Sequence, residues 1–192
     1  MLRFLCGPVS HMTEVTRLLE QARAGDAAAW DRAVALVYED LRHMARGVLG
    51  GPGSATFNAT GLVHDCYLRL SRAGADGVLN RAHFLALAAR AMRQLMLNHA
   101  RDRVAQKRGG GAIHTDVDAH AEQIAAEAQG LIELDSALEQ LGQENADFVR
   151  VVECRIHAGL SEQETAEALG MSLRSSQRLW AEARERLAAL LG

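Results

Sequence analysis

Apolar side chains recur at helical spacing along almost the whole chain, and this periodicity limits the fold more than any other feature. Val15, Leu18 and Ala22 follow it in a first predicted helix, which starts at Thr13 and which Gly25 can end. The 192 residues include only two prolines and 4% aromatics, a composition that favours helices over sheets. The sequence therefore predicts an all-α protein, and its length allows one or two small domains.

Glycine clusters at residues 50–54 and 109–111 divide this pattern into segments. The apolar spacing between the breaks predicts helices at Ala27–Leu49, Thr60–Ser71, Arg81–Gln106, Leu131–Leu141 and Ala146–Ala158. We predict two small helical domains, a four-helix N-terminal module at residues 12–111 and a smaller C-terminal module at residues 131–192. An acidic, flexible and partly helical linker at residues 112–130 joins them. Met12 would serve as a natural start, and we assign no role to residues 1–11.

The distribution of charge is more informative than the net charge of −3. Between Arg93 and Arg108 there are five basic residues and one acid, whereas residues 112–149 hold nine acids and no Lys or Arg. A uniformly solvated surface does not normally segregate charge in this way. A basic segment of this kind is a candidate for contact with a nucleic-acid backbone, although a solvated helix face would explain the same arginines.

The C-terminal module contains the pattern of a helix-turn-helix. Ser161 with Glu164 forms a capping box, so a helix should begin there, and Gly170 supplies the left-handed position that ends it. Ser172 can cap a second helix from Leu173 to about Leu190. In such a motif the N-terminal residues of the second helix reach base edges in the major groove.

The predicted recognition residues lie at the start of that second helix. Arg can pair with guanine and Gln with adenine, and either can hold phosphate. The candidates for DNA contact are Ser172, Arg174, Ser175, Gln177 and Arg178. An ordinary helical hairpin with solvated charges is the alternative interpretation of these residues.

The segment from Thr60 to Leu70 resembles the polymerase-binding helix of extracytoplasmic-function (ECF) sigma factors. Phe84 to Arg93, continuing to Arg101, is similar to the promoter-melting helix of that family, and the block from Leu160 to Arg178 to its −35 module. The resemblance covers Thr13 to Leu190. It implies core RNA polymerase contacts by His64, Asp65, Leu68 and Arg69, and −10 DNA contacts by Arg93, Asn98, Arg101 and Arg103.

The resemblance also gives expectations for the connecting segments. The loop at residues 71–80 stands where family members capture an unstacked base, and the acidic connector where they enter polymerase channels that hold nucleic acid. Plain solubility explains the connector's acids equally well. Leu173 stands where the family often has Pro, and Ser176 and Gln177 stand where an apolar residue and Lys are common. The promoter sequence therefore does not follow from the resemblance.

The expected partners are core RNA polymerase and promoter DNA, with an anti-sigma factor or other regulatory protein left open. We predict no enzymatic activity, catalytic residue, metal or cofactor, because phosphate-loop, nucleophile and metal-set motifs are missing from the sequence. Three widely spaced cysteines, and the lack of a long apolar run, predict a cytoplasmic protein without a membrane span. A helix-turn-helix regulator that binds duplex DNA without polymerase is the alternative. The sequence leaves open whether the modules pack together.

Overall fold

The computed structural model describes residues 9–48, 58–75, 77–109 and 117–192, without the side chains of 9–13, 103, 106–109, 117–125 and 127. All regular elements in these ranges are helical, as predicted. In chain order they are α1 (Val9–Arg23), α2 (Ala27–Leu36), α3 (Tyr38–Val48), α4 (Ala59–Ala73), α5 (Arg81–Gly109), α6 (Val117–Glu144), α7 (Ala146–Val152), a π-helical segment (Glu153–His157), α8 (Glu162–Leu169) and α9 (Leu173–Leu191).

The helix predicted at Ala27–Leu49 is two helices, α2 and α3, which meet at Val37. Val37 leaves the helical region with φ −102° and ψ 8°, and its side chain is buried. The break lets α2 pack on α1 while α3 packs on α4 and α5. Apolar spacing is helical on both sides of Val37, so the periodicity alone did not reveal this change of direction.

Most of the predicted linker is helical, because α6 begins at Val117 and runs without interruption into the predicted helix at 131–141. Residues 117–130 contain no proline and are rich in Ala, Glu and Gln, which favour helix. Residues 110–116, with the rest of the Gly cluster, lie outside the described residues. The division of the chain into domains at these boundaries remains a prediction.

The helix predicted at Ala146–Ala158 becomes π-helical after Val152. The amide of Ala158 donates to the carbonyl of Glu153, a spacing of five residues, at 2.9 Å. The wider turn accommodates two successive buried side chains, Glu153 and Cys154. π-Helical turns often occur at functional positions, and this one faces α5.

Two apolar clusters hold the helices together. The smaller joins α6, α7 and α9 around Leu138, Leu141, Phe148 and Leu187. The larger cluster is formed by the five helices α1 to α5. It also includes four residues that follow α7, namely Cys154, Ala158, Leu160 and Ala168. The larger core therefore includes side chains from both predicted modules.

Candidate nucleic-acid interface

The helix-turn-helix has the local geometry that the sequence predicts. The amide of Glu164 donates to Ser161 Oγ at 3.2 Å, and the amide of Ser161 donates to the Glu164 carboxylate at 2.9 Å, which completes the capping box. Gly170 ends α8 in the left-handed conformation, with φ 66° and ψ 34°. Ser172 then caps α9 by accepting from the amide of Ser175 at 3.1 Å. Three residues, Gly170, Met171 and Ser172, join α8 to α9.

The first two turns of α9 present a polar face to solvent. Arg174, Gln177 and Arg178 are exposed there, whereas Ser176 points inward and is only 2% exposed. Ser175 is half-buried, and its hydroxyl lies 2.8 Å from that of the exposed Ser172. The small buried serine lets this turn of α9 approach the rest of the module. The five candidate residues thus lie on or beside one accessible helix end.

A residue that the sequence did not single out, Glu162, contacts this face. Gln177 Nε2 donates to Glu162 Oε2 at 2.6 Å. The amide group of Gln177 is therefore oriented, with its carbonyl oxygen left to accept a further hydrogen bond. Fifteen residues separate the pair, so no local motif indicates it, although Glu162 stands at the first position of α8.

The predicted polymerase-docking residues share one side of α4. His64, Asp65, Leu68 and Arg69 are exposed, and the opposite side of the helix buries Leu62, Val63 and Cys66. Arg69 donates to Gln94 of α5 at 2.6 Å, which holds its guanidinium on the surface. This set forms a mixed polar and apolar patch whose backbone is fixed by the core beneath it.

The predicted −10 residues on α5 are in three different environments. Arg93 is largely buried between Asp135 of α6 and Glu153 of the π-helical segment. Arg101 is half-exposed and also pairs with Asp135, at 3.3 Å. Asn98 is exposed, and the side chain of Arg103 lies outside the described residues. The structure does not gather the three described side chains, Arg93, Asn98 and Arg101, into one open surface.

The loop that precedes α5 is shorter than predicted, because α4 continues to Ala73 and includes Ser71. Ser71 accepts a hydrogen bond from Trp30 Nε1 at 3.0 Å, which ties α4 to α2. Leu79 is 52% exposed in this loop, and its amide donates to His83 Nδ1. Leu79 is an apolar side chain beside the proposed base-capture position that sequence analysis did not single out.

Burial controls the protonation of three further side chains. It raises the pKa of the Cys66 and Cys154 thiols to about 12, so both stay protonated at neutral pH. It lowers the pKa of His157 to about 4, helped by the nearby charge of Arg93, so this imidazole is neutral. None of these groups belongs to the exposed face of α4 or of α9.

Residues 12–191 match the family model described as ECF sigma factor. The chain belongs to the ECF sigma factor family. The match covers every described helix apart from the first residues of α1 and takes in the candidate residues on α4, α5 and α9. This family is one of transcription initiation factors and is not a class of enzymes. Its partners are core RNA polymerase and promoter DNA.

Other comparisons add little to this assignment. No curated protein matches the chain. Among solved structures, the chain is similar to CnrH in its complex with the cytosolic domain of CnrY, with 22% identity and a TM-score of 0.43. The alignment covers 92% of this chain and 97% of CnrH. None of the described helices is both long and apolar enough to cross a membrane.

Proposed function

We propose that this chain binds core RNA polymerase through α4, directs it to −35 DNA with the start of α9, and helps open the −10 element with α5. The observation that carries the proposal is the exposed face of α9. Arg174, Gln177 and Arg178 project there from the N-terminal turns of the second helix of a well-formed helix-turn-helix. Side chains of this kind at this position read base edges and phosphates.

The docking part of the proposal rests on the exposed patch of α4. Leu68 is 38% exposed although it is apolar, and Asp65 and Arg69 lie beside it. An exposed leucine among charged groups suits a protein partner, because a partner would cover the leucine and pair the charges at its rim. Under this proposal the chain has no chemistry of its own and works in the cytoplasm, where its partners are. An anti-sigma factor would be a separate protein that competes for these surfaces.

Binding to purified core RNA polymerase tests the proposal most simply. The variant Asp65→Ala, Leu68→Ala should bind at least about tenfold more weakly, because it removes a charge and an apolar anchor from the patch. Glu20→Ala, Leu36→Ala is the matched control, since it removes one exposed acid and one leucine of similar exposure, 40%, elsewhere in the same module. Equal affinities for the two variants would contradict docking through α4.

A conventional helix-turn-helix regulator is the second candidate, favoured by the fact that the motif is complete without any partner. It predicts tight, sequence-specific binding to duplex DNA in the absence of polymerase. The sigma proposal predicts that specific binding requires polymerase. A chain that fails to bind core polymerase but selects one duplex sequence by itself would establish the regulator and overturn the proposal.

A further inference from the structure

Three arginines of α5 connect the N-terminal helices to the second half of the chain. The most buried is Arg93, whose Nη2 lies 2.9 Å from Glu153 Oε1, and whose Nη1 donates to Asp135. The side chain of Arg93 is only 14% exposed, and those of Glu153 and Asp135 are 7% and 10% exposed. Arg101, two turns further along α5, pairs with the other oxygen of Asp135. We call Arg93, Arg101, Asp135 and Glu153 the charged clasp.

At the start of α5 another arginine, Arg81, is also paired with two carboxylates. Arg81 donates to Asp40 at 2.6 Å and to Glu164 Oε1 at 3.1 Å. Glu164 is the capping-box residue of α8, so this pair attaches the helix-turn-helix to α5. Twelve residues of helix separate Arg81 from Arg93, which corresponds to about 18 Å along the axis. The second half of the chain is therefore held against α5 at two well-separated points.

Apolar packing accompanies these ion pairs. Cys154, next to Glu153, is 1% exposed and belongs to the core cluster of α1 to α5, not to that of α6, α7 and α9. One hydrogen-bond donor at this contact is left unpaired, because Arg93 Nε is buried and has no hydrogen-bond partner among the described residues. A buried donor without an acceptor weakens the state that contains it. The contact between the halves thus combines buried apolar packing with a buried arginine that is not fully hydrogen-bonded.

The charged clasp occupies the same arginines that the proposed function gives to −10 DNA. The guanidinium of Arg93 is largely buried between two carboxylates and is not free to bind phosphate. Arg101 is half-exposed, and the Asp135 carboxylate beside it repels a DNA backbone. We infer that Asp135 and Glu153 take the place of DNA phosphates in the free protein, so that α5 is shielded until the second half of the chain separates from it. The exposed docking patch of α4 stays accessible in this closed form. The inference rests on the proposed function for the role of these arginines.

Thiol labelling of the full chain tests the closure itself, in a Cys6→Ser background so that only Cys66 and Cys154 react. Asp135→Asn with Glu153→Gln should open the clasp and speed labelling of Cys154 by at least about tenfold, because it leaves Arg93 buried and unpaired. Cys66 is the internal control, since its thiol is buried between α4 and α5 and contacts the carbonyl of Ala88. Unchanged labelling of Cys154 would overturn the inference.

Neutralising two exposed acids of α6 gives the matched control, Glu133→Gln with Glu139→Gln, which changes the net charge equally. Asp135→Asn alone is the milder variant, and it should accelerate Cys154 in the same direction if the double variant loses helix content. Acceleration of both cysteines together would indicate general unfolding and would contradict a specific clasp.

Binding of the full chain to a generic single-stranded oligonucleotide tests the consequence for DNA. Release of Arg93 and Arg101 should make the slope of log K against log salt steeper by about 1–2 relative to the control variant. Equal slopes in the two variants would overturn the role of Asp135 and Glu153 as competitors of DNA. Failure of the proposed function is distinguishable, because it would appear as loss of core polymerase binding while the thiol results stay the same.

Discussion

Replacement of Gly170 by alanine tests the turn on which the recognition helix depends. A Cβ at Gly170 would meet no atom within 4 Å, so only the left-handed backbone, with φ 66°, opposes the change. That conformation costs an L-residue about 1–2 kcal/mol. Alanine also restricts the unfolded chain, which offsets roughly 0.4–1 kcal/mol. We therefore expect Gly170→Ala to lower the free energy of unfolding by about 1 kcal/mol.

Two further variants separate this backbone effect from a generic effect of alanine. Gly61 lies inside α4, and a Cβ there also meets no atom within 4 Å. Gly61→Ala should raise stability by about 0.5–1 kcal/mol, because alanine is the better helix former. Gly170→Asn should cost less than Gly170→Ala, since asparagine tolerates the left-handed region better. The change in the free energy of unfolding should therefore have opposite signs for the two alanine variants.

Thermal unfolding followed by far-UV circular dichroism measures this order. For a chain of this length, 1 kcal/mol corresponds to a change in Tm of roughly 2–4 °C. Gly170→Ala should lower the Tm by about that amount, while Gly61→Ala should raise it slightly. If both alanine variants were equally stabilised, the turn between α8 and α9 could not have the left-handed geometry described above.

Three other perturbations follow from the structure. Ser161→Ala removes the hydroxyl of the capping box and should cost about 1 kcal/mol in urea unfolding; an unchanged midpoint would argue against the cap. Leu141→Ala empties a fully buried position of the smaller cluster and should cost about 2–5 kcal/mol in the same assay; a cost below 1 kcal/mol would contradict its burial. His157 has a folded pKa of about 4, below its ordinary 6.5, so the unfolded chain is protonated first as the pH falls. It contributes stability above pH 6.5 that is lost between pH 6.5 and 4, roughly 3 kcal/mol in all, and His157→Gln should flatten that part of the stability profile. An unaltered profile would contradict a neutral imidazole at this half-buried position.

The helix-turn-helix was predictable because each of its signals is local. Ser161 and Glu164 are three residues apart, and Gly170 and Ser172 act on the turn in which they stand. Caps and left-handed glycines depend on a few neighbouring residues, so sequence alone locates them. The candidates His64, Asp65, Leu68 and Arg69 on α4 were instead implied by the family resemblance, and all four side chains are exposed.

The partners of the α5 arginines were not predictable, because they are distant in sequence. Arg93 pairs with residues 42 and 60 positions away. The acidic run at residues 112–149 was visible, and its acids were interpreted as solubility or entry into a polymerase channel. Which acid meets which arginine depends on how α6 packs on α5, and helical periodicity does not encode that. The break at Val37 was not predictable either, because it depends on how α2 and α3 pack on different helices.

Transcription with purified core RNA polymerase on a pool of genomic fragments tests the central claim most directly. We expect initiation sites that require the chain, that share an upstream sequence, and that are lost with Arg174→Ala, Arg178→Ala. Arg17→Ala, Arg184→Ala, which removes two exposed arginines elsewhere, should keep them. Initiation that is the same with and without the chain, together with specific binding of the free chain to duplex DNA, would contradict the account and indicate a polymerase-independent regulator.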